Sequence, residues 1–451
     1  MILGLAASGE AAARLLLAEG KSVQIIDEKK TDEILRRAES LTKLGAAVSV
    51  GGKDLPARIA TRSVAGGPAG DYDVCIVSPG VRYNSPVLRE VMSRGIPLLP
   101  EFELGWSRAK CPVLAVTGSN GKSTLVKLCV EAMGKAGLNA FAAGNYGPPV
   151  SQVVLDHPAA DWLVVEVSSF QLETVRNFRP RVGVLLNVLP NHLDRHHDLK
   201  TYAGIKARLF AKMQNEDKAV INEDNLAEMK VGINAGTALI SFGLSRHADY
   251  CFRDSAVEAK NTGRKINFRG TLFDNEVLGL TAAAAVAAMD ASGVPFAHLE
   301  RAAREFQPLP HRMEEIGARN GVRFIDDSKA TNLASMLAAL KMVTGRVRLI
   351  AGGLPKHESY EPACPVLAEK VSGVYLIGQA ADEMAIVWRN VVPCHRCGTL
   401  ENAVAEAWRH AVPGEIILLS PACASFDQFL SFEERGNYFR HLFESLGSSK
   451  S

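Results

Sequence analysis

No apolar run in this 451-residue chain approaches the roughly 20 residues of a membrane-spanning helix. That excludes an integral helical membrane protein. Neither sign of charge is in excess: 51 Lys and Arg face 49 Asp and Glu. The chain therefore has no general attraction to nucleic acid or to a membrane surface, and an anionic ligand must be held by local groups. A cysteine framework is also lacking. The eight cysteines are scattered, and Cys75, Cys129 and Cys423 sit in apolar or helical runs. They read as reduced core residues of a cytoplasmic protein. One Cys-x-x-Cys occurs, Cys394-His395-Arg396-Cys397, with no second pair near it. Gly398 excludes the haem-attachment form, and structural zinc is the disfavoured reading. Repeats and low-complexity tracts are absent. Met1 to Gly9 has no basic leader and reads as a strand and glycine turn rather than a signal peptide. That first strand is short, and a few of its residues are expected to be missing. The Ser-rich tail from Gly447 is expected to fray.

What is there is an alternation of strands and helices in three blocks, an α/β pattern with parallel sheets. Residues 1–109 open with Leu3, the turn Gly4-x-x-x-Ser8-Gly9, a helix, and a strand ending at Asp27; the strand Val74–Val77 ends in Ser78-Pro79-Gly80. This is a Rossmann-like βαβ opening, although the middle glycine of G-x-G-x-x-G is missing. Residues 110–305 alternate the strands Val113–Val116, Leu163–Val167, Val182–Leu186 and Ala219–Ile221 with helices. Residues 237–273 read as a small antiparallel insert, followed by the Ala-rich helix Thr281–Ala291. Residues 306–451 begin with a Pro-containing linker and an Asn320-Gly321 hairpin signal. A second Rossmann-like α/β alternation follows.

The sharpest local signal is Val113 to Thr124. An apolar strand enters Gly118-Ser119-Asn120-Gly121-Lys122-Ser123-Thr124, and a helix follows. Glycines let backbone N–H groups close on phosphate oxygens, and the helix N-terminus adds partial positive charge. Lys122 can reach terminal phosphates, and the Ser123 hydroxyl can ligate Mg²⁺. Val116 stands where the usual P-loop has its first glycine, so this is a compact variant. Glu166 ends a strand beside Ser168, and His192 follows the next strand. A carboxylate, an imidazole and a hydroxyl at neighbouring strand ends suit Mg²⁺ or Mn²⁺. The alternative for His192 is a solvated loop histidine. Lys206 shares a helix face with Tyr202 and Leu209-Phe210, where an ordinary helix lysine is the default. The third block carries polar residues at three strand ends. They are Asp326-Asp327-Ser328-Lys329-Ala330-Thr331-Asn332, Gly352-Gly353-Leu-Pro-Lys356 and Ser420-Pro-Ala-Cys-Ala-Ser425-Phe-Asp427. Helix capping explains any one of them but not all three, and together they read as a second ligand face.

Taken in order, Gly118 to Thr124, Glu166-Val-Ser-Ser-Phe-Gln-Leu172, Asn191-His-Leu-Asp-Arg-His196, Pro310-His-Arg312, Asp326 to Asn332 and Ser420 to Asp427 resemble the Mur ligase family of peptidoglycan synthesis. The resemblance covers essentially the whole chain. The Ser-Ser-Phe-Gln-Leu run and the last motif resemble the D-glutamate-adding branch. The resemblance implies three domains: a Rossmann-like N-terminal domain, a central P-loop ATPase-like domain and a C-terminal Rossmann-like domain. It implies an ATP-dependent ligase in which a substrate carboxylate becomes an acyl phosphate that an amine attacks. The implied substrates are UDP-N-acetylmuramoyl-L-alanine and D-glutamate, and the implied protein is a cytoplasmic monomer with two Mg²⁺ sites. Gly118 to Thr124, with Arg312 and Asp327, would hold ATP. Ser123, Glu166, His192 and a carbamylated Lys206 would hold metal. Ser8, Asp27, Ser78 and Asn145 match the sugar-nucleotide site. Thr331, Lys356, Ser425 and Phe432 match the amino-acid pocket, and Ser168 lies on the substrate side. Closure of the third domain is the implied step that assembles the site.

There are departures. The family carries His-Asn-x-x-Asn before the Ala-rich helix, and Val277-Leu-Gly-Leu-Thr281 is expected in its place. Lys356 is followed by His357-Glu358-Ser359, where an acid is expected at 359. Two further readings stay open: a relative that adds another amino acid or acts on folate, and a catalytically silent UDP-sugar-binding protein.

Overall fold

Apolar strands alternating with helices build three sheets. The computed structural model describes residues 1–52, 55–59, 72–81, 84–356 and 359–446. The tail from Gly447 and the His357-Glu358 pair lie outside the described residues. Among the described residues no helix is long and apolar enough to cross a membrane.

The first sheet contains β1 (Ile2–Leu3), β2 (Gln24–Asp27), β3 (Ala47–Val50), β4 (Cys75–Val77) and β5 (Leu98–Pro100). Their order is β3-β2-β1-β4-β5, all parallel. The order reverses between β1 and β4, so the loops after these two strands lie side by side, where open α/β sheets hold their ligands. Gly9 has a packing reason: a Cβ there would come within 1.9 Å of the Gly4 carbonyl oxygen.

The second sheet has β6 (Val113–Thr117), β7 (Ala140–Gly144), β8 (Trp162–Glu166), β9 (Val182–Leu185), β10 (Lys218–Asn222), β11 (Ala238–Gly243), β12 (Tyr250–Arg253), β13 (Ala256–Ala259) and β14 (Arg264–Asn267). The order is β14-β13-β12-β11-β10-β9-β6-β8-β7. Here the structure corrects the expectation of a separate antiparallel insert over 237–273. β11 pairs parallel with β10 and β12 parallel with β11, so the segment extends the main sheet; only the β12–β14 meander is antiparallel. The helix Leu199–Ala207 is also shorter than its apolar pattern suggests and tightens into a 3₁₀ turn at Arg208–Phe210.

The short helix Glu101–Trp106 follows β5 and carries two buried carboxylates. Glu101 accepts the Ser151 N–H at 2.6 Å, at the start of the helix Val150–Asp156. Glu103 accepts from Arg176 and Asn177 N–H at 2.8 and 2.5 Å. Phe102 packs edge-on against Phe178 at 4.9 Å.

The third sheet has β15 (Glu314–Arg319), β16 (Val322–Asp326), β17 (Val347–Gly352), β18 (Val371–Ile377), β19 (Cys394–Gly398) and β20 (Ile416–Leu419), in the order β15-β16-β20-β17-β18-β19. The β15–β16 hairpin turns at Asn320 and Gly321 with φ of +49° and +75°, as that dipeptide predicts. The other pairings are parallel. Contacts divide the chain into two compact units. Met1–Val188, Lys200–Phe268 and Leu280–Arg304 form one; Leu189–Leu199, Arg269–Gly279 and Glu305–Ser451 form the other.

Candidate functional site

β6 runs directly into Gly118, and the helix Lys122–Lys135 begins at Gly121, which takes a left-handed φ of +83° open to glycine at little cost. No side chain of its own caps this helix start. The loop is instead held by Asn187, just past β9, whose Oδ1 accepts from Ser119 and Asn120 N–H at 3.0 and 2.9 Å. Lys122 Nζ donates to the Gly118 and Ser119 carbonyls, both at 2.9 Å. Thr124 stands half-buried in the helix's first turn.

Parallel pairing sets Val116 opposite Glu166, so the end of β8 comes level with the loop. Glu166 is 2% exposed. Its Oε2 accepts from Ser123 Oγ and its Oε1 from Asn145 Nδ2, each at 2.6 Å. Asn145, expected in the sugar-nucleotide site, thus has its side chain on the Glu166 carboxylate. Lys206 is fully buried on the helix Leu199–Ala207, its ammonium 4.3 Å from the Tyr202 ring centroid. Lys206 Nζ donates to the Gly118 carbonyl at 2.9 Å, so both lysines converge on one oxygen. Burial first, and then the Lys122 charge, hold Lys206 well below the ordinary lysine range, against an opposing pull from Glu166. A buried hydroxyl beside a buried carboxylate is a pair of hard oxygen donors suited to Mg²⁺. Ser168 closes a capping box with Gln171 at the helix Ser169–Leu172, which gives part of the Ser-Ser-Phe-Gln run a local structural role. His192 lies in the second unit, half-buried, with φ +57°.

In the first sheet, Asp27 Oδ2 accepts the Leu5 N–H at 2.6 Å and Oδ1 the Lys29 N–H at 2.8 Å. Ser78 Oγ donates to the Gly4 carbonyl at 3.0 Å. Asp27 and Ser78 therefore fix the loop after β1. Ser8 lies in the first turn of the helix Ala7–Ala18, which has no side-chain cap at Ala6.

In the second unit, β16, β20 and β17 are neighbours, so the three polar strand ends meet. Asp327 accepts from Ser420 Oγ at 2.8 Å and from the Met313 N–H, next to Arg312, at 3.2 Å. Burial pushes its carboxyl up to about 7. Gly352 N–H donates to the Pro421 carbonyl, and Leu354 and Ala424 form a β-bridge. Thr331 precedes Asn332, which caps the helix Leu333–Met342. Ser425 is 2% exposed at the base of its loop. Lys356 Nζ lies 3.5 Å from Asn191 Oδ1. Phe432 begins the helix Phe432–Ser445, with Lys329 Nζ 3.7 Å from its ring centroid.

Two organising residues escape sequence reading. Asn187 stands in a motif-bearing run, but nothing local marks it as the loop's acceptor. Arg435 is 1% exposed and donates to the Ser328 and Cys423 carbonyls at 2.8 and 3.1 Å, tying two of the three loops together. The asparagine segment also needs correcting. The Ala-rich helix begins at Glu276, not Thr281, and Asn275 Oδ1 caps it by accepting the Leu278 N–H at 2.9 Å. The residues ahead of the helix are therefore Asp274-Asn275, and 277–281 lie within it.

The Mur ligase middle domain matches residues 116–284, and the glutamate ligase domain of Mur ligases matches residues 311–423. Several curated relatives bear the name UDP-N-acetylmuramoylalanine--D-glutamate ligase. The one from Acidobacterium capsulatum is 35% identical over 98% of this chain and 95% of its own length. That from Anaeromyxobacter dehalogenans is 38% identical over 98% and 96%. Among solved structures, MurF ligase from Thermotoga maritima in complex with ADP superposes with a TM-score of 0.63 at 15% identity, covering 98% of both chains. UDP-N-acetylmuramate-alanine ligase MurC from Thermotoga maritima gives 0.60 at 16% identity, covering 100% of this chain and 99% of that one. The solved structures show the fold; the curated relatives and the two matched domains show that the chain belongs to the Mur ligase family.

Proposed function

We propose that this chain is an ATP-dependent ligase that joins D-glutamate to UDP-N-acetylmuramoyl-L-alanine in peptidoglycan precursor synthesis, with blocks 1–109, 110–305 and 306–451 as its domains. Full-length relatives of that name support the reaction. The observation that carries the site is the convergence of Lys122, Lys206, Ser123 and Glu166 on the loop that starts at Gly118.

A carboxylate is a poor electrophile. In the proposed reaction its oxygen forms a bond to the γ-phosphorus of ATP as the bond to the ADP oxygen breaks. The amine of D-glutamate then attacks the carbonyl carbon and loses a proton, and phosphate leaves with the bonding pair. The amides at the start of the helix Lys122–Lys135, with Lys122, would hold the transferring phosphates, while Asn187 fixes the loop through the Ser119 and Asn120 amides. Ser123 and Glu166 are the residues that would hold Mg²⁺, and His192 would add an imidazole. Bound there, the cation neutralises charge on the phosphoryl group. Lys206 suits carbamylation because CO₂ adds only to a neutral amine, and burial beside Lys122 favours that form. A protonated lysine would repel a cation; a carbamate would attract one. Arg312 and Asp327 are proposed for the nucleotide, Thr331, Lys356, Ser425 and Phe432 for D-glutamate, and Ser8, Asp27 and Ser78 for the UDP-sugar.

The test is phosphate release with ATP, Mg²⁺, bicarbonate and UDP-N-acetylmuramoyl-L-alanine across a panel of D- and L-amino acids. Release that needs both the UDP-sugar and D-glutamate is the expected result. Release with a different amino acid would reassign specificity. Binding of the UDP-sugar without turnover would overturn the enzyme reading.

A further inference from the structure

The Cys394-x-x-Cys397 motif does not form a metal site as a pair. It lies on β19, and alternation along the strand sends the two thiols to different apolar clusters, Cys394 to one side of the sheet and Cys397 to the other. His395, between them, has a different neighbourhood. The helix Leu400–His410 packs over this strand, and Glu406 and His410, four residues apart, share one of its faces. Ligand atoms of His395, Glu406 and His410 all lie within 4.8 Å of one another. All three side chains are half-buried.

We propose that His395, Glu406 and His410 form a binding site for zinc or a similar borderline divalent cation, separate from the ATP site, which staples the edge strand β19 to the helix Leu400–His410. Two imidazoles and one carboxylate with an open position suit such a cation far better than Mg²⁺. Tetrahedral ligands about 2.0–2.1 Å from zinc stand roughly 3.3 Å apart, so the cluster needs only small side-chain rotations to close. His410 Nε2 is already 3.9 Å from Glu406 Oε1.

The surroundings orient both rings. Tyr375, on β18 directly beside His395, stacks on that imidazole at 4.9 Å with 9° between planes. Its hydroxyl is 3.2 Å from His410 Nδ1. Arg348 Nη1 donates to the same hydroxyl at 2.9 Å and is itself paired with Glu415 at 2.7 Å. With Nδ1 facing Tyr375, Nε2 of His410 is the nitrogen turned to Glu406, the arrangement by which an outer hydrogen bond selects the ligating nitrogen. The competing contact is the Arg409–Glu406 ion pair, in which the arginine side chain is 68% exposed. Such a surface pair contributes little and yields readily to a divalent cation. Arg348 and Glu415 stand at strand starts, so the cluster sits at the opposite end of this sheet from the loops after β16, β17 and β20.

The test is a zinc titration of untagged, chelator-stripped full-length protein against a competing chromophoric chelator, with excess Mg²⁺ to fill oxygen-donor sites. Wild type should take up one equivalent with a Kd in or below the low micromolar range, about 10 µM. His395→Ala and His410→Ala should each weaken that equivalent at least tenfold, and Tyr375→Phe by about 10–100-fold through loss of ring orientation. Cys394→Ser should leave it unchanged. Glu406→Gln, a near-isosteric change at a half-buried helix position, keeps the test valid if a histidine variant fails to fold; it should weaken binding about tenfold and reduce the zinc-dependent rise in Tm. A zinc equivalent that survives both histidine variants, or wild type without such an equivalent, overturns the proposal. None of these residues belongs to the proposed ligase site, so ligase activity in Mg²⁺ should persist in every variant.

Discussion

Lys206→Met should yield a protein that is inactive yet more stable than the wild type. The side chain is 1% exposed, and its amine shares the Gly118 carbonyl with Lys122. Methionine fills nearly the same unbranched volume. The substitution removes one hydrogen bond, a loss of about 1 kcal/mol. It leaves no orphaned acceptor, because Lys122 still donates to that oxygen at 2.9 Å. Against this, it removes a polar group whose burial beside a like charge is unfavourable, and apolar replacements of buried ionic groups are commonly stabilising by about 1–4 kcal/mol. The expected net gain near neutral pH is about 0–3 kcal/mol. The pH dependence fixes the sign. Folding lowers the Lys206 value well below its ordinary 10.5. Between the two values the unfolded chain binds more protons, so wild-type stability rises with pH. The advantage of the variant must shrink as pH climbs through that window. Urea unfolding in CO₂-free buffer, at neutral pH and near pH 9.5, measures both quantities. A variant less stable than wild type by more than about 1 kcal/mol, or an advantage that widens with pH, would refute the reasoning.

Asn145→Ala should lower kcat about tenfold or more by releasing the Glu166 carboxylate, while leaving the KM for the UDP-sugar nearly unchanged; a raised sugar KM with intact kcat would return Asn145 to the sugar-nucleotide site. Glu101→Gln should stabilise the protein at pH 8. Burial pushes this carboxyl from 4.5 up to about 7, so the folded state holds its proton longer and stability falls as pH rises through that interval. The gain should reach roughly 3 kcal/mol at pH 8 and vanish below pH 4, as read from urea midpoints at both pH values. Arg435→Ala should cost about 3 kcal/mol and speed amide exchange in both loops it joins. It should also raise the amino-acid KM more than the ATP KM; unchanged exchange would show that the loops hold without it.

The parts of this chain that could be read from sequence are those whose causes are local. The strand–loop–helix turn at Gly118 to Lys122 was legible because an apolar strand, glycines, a lysine and a helix follow one another without a break. The β15–β16 hairpin was legible because Asn320-Gly321 prescribes its turn. Strand β7, Ala-Phe-Ala-Ala-Gly, carries almost no β signal and is a strand because it pairs with β8. β19, built from Cys, His, Arg and Gly, is similar. Asn187 and Arg435 were invisible because their partners lie 67 and 107 residues away. The start of the Ala-rich helix was misplaced by five residues, since Glu276 to Leu280 lack the alanine run while Asn275 supplies the cap.

The helix Glu101–Trp106 limits how freely the first block can be treated as an exchangeable module. Its carboxylates are closed by N–H groups at 151, 176 and 177, and its Phe102 by Phe178. A graft that swaps residues 1–109 between two relatives carries the acceptors but not the donors. Unless the recipient presents the same backbone at those positions, two carboxylates and a phenyl ring lose their partners together. The seam of a chimera is therefore better drawn to include residues 148–153 and 176–178 with the incoming block. Inheritance of the incoming block's properties would then follow patches brought together in space rather than a cut in the chain.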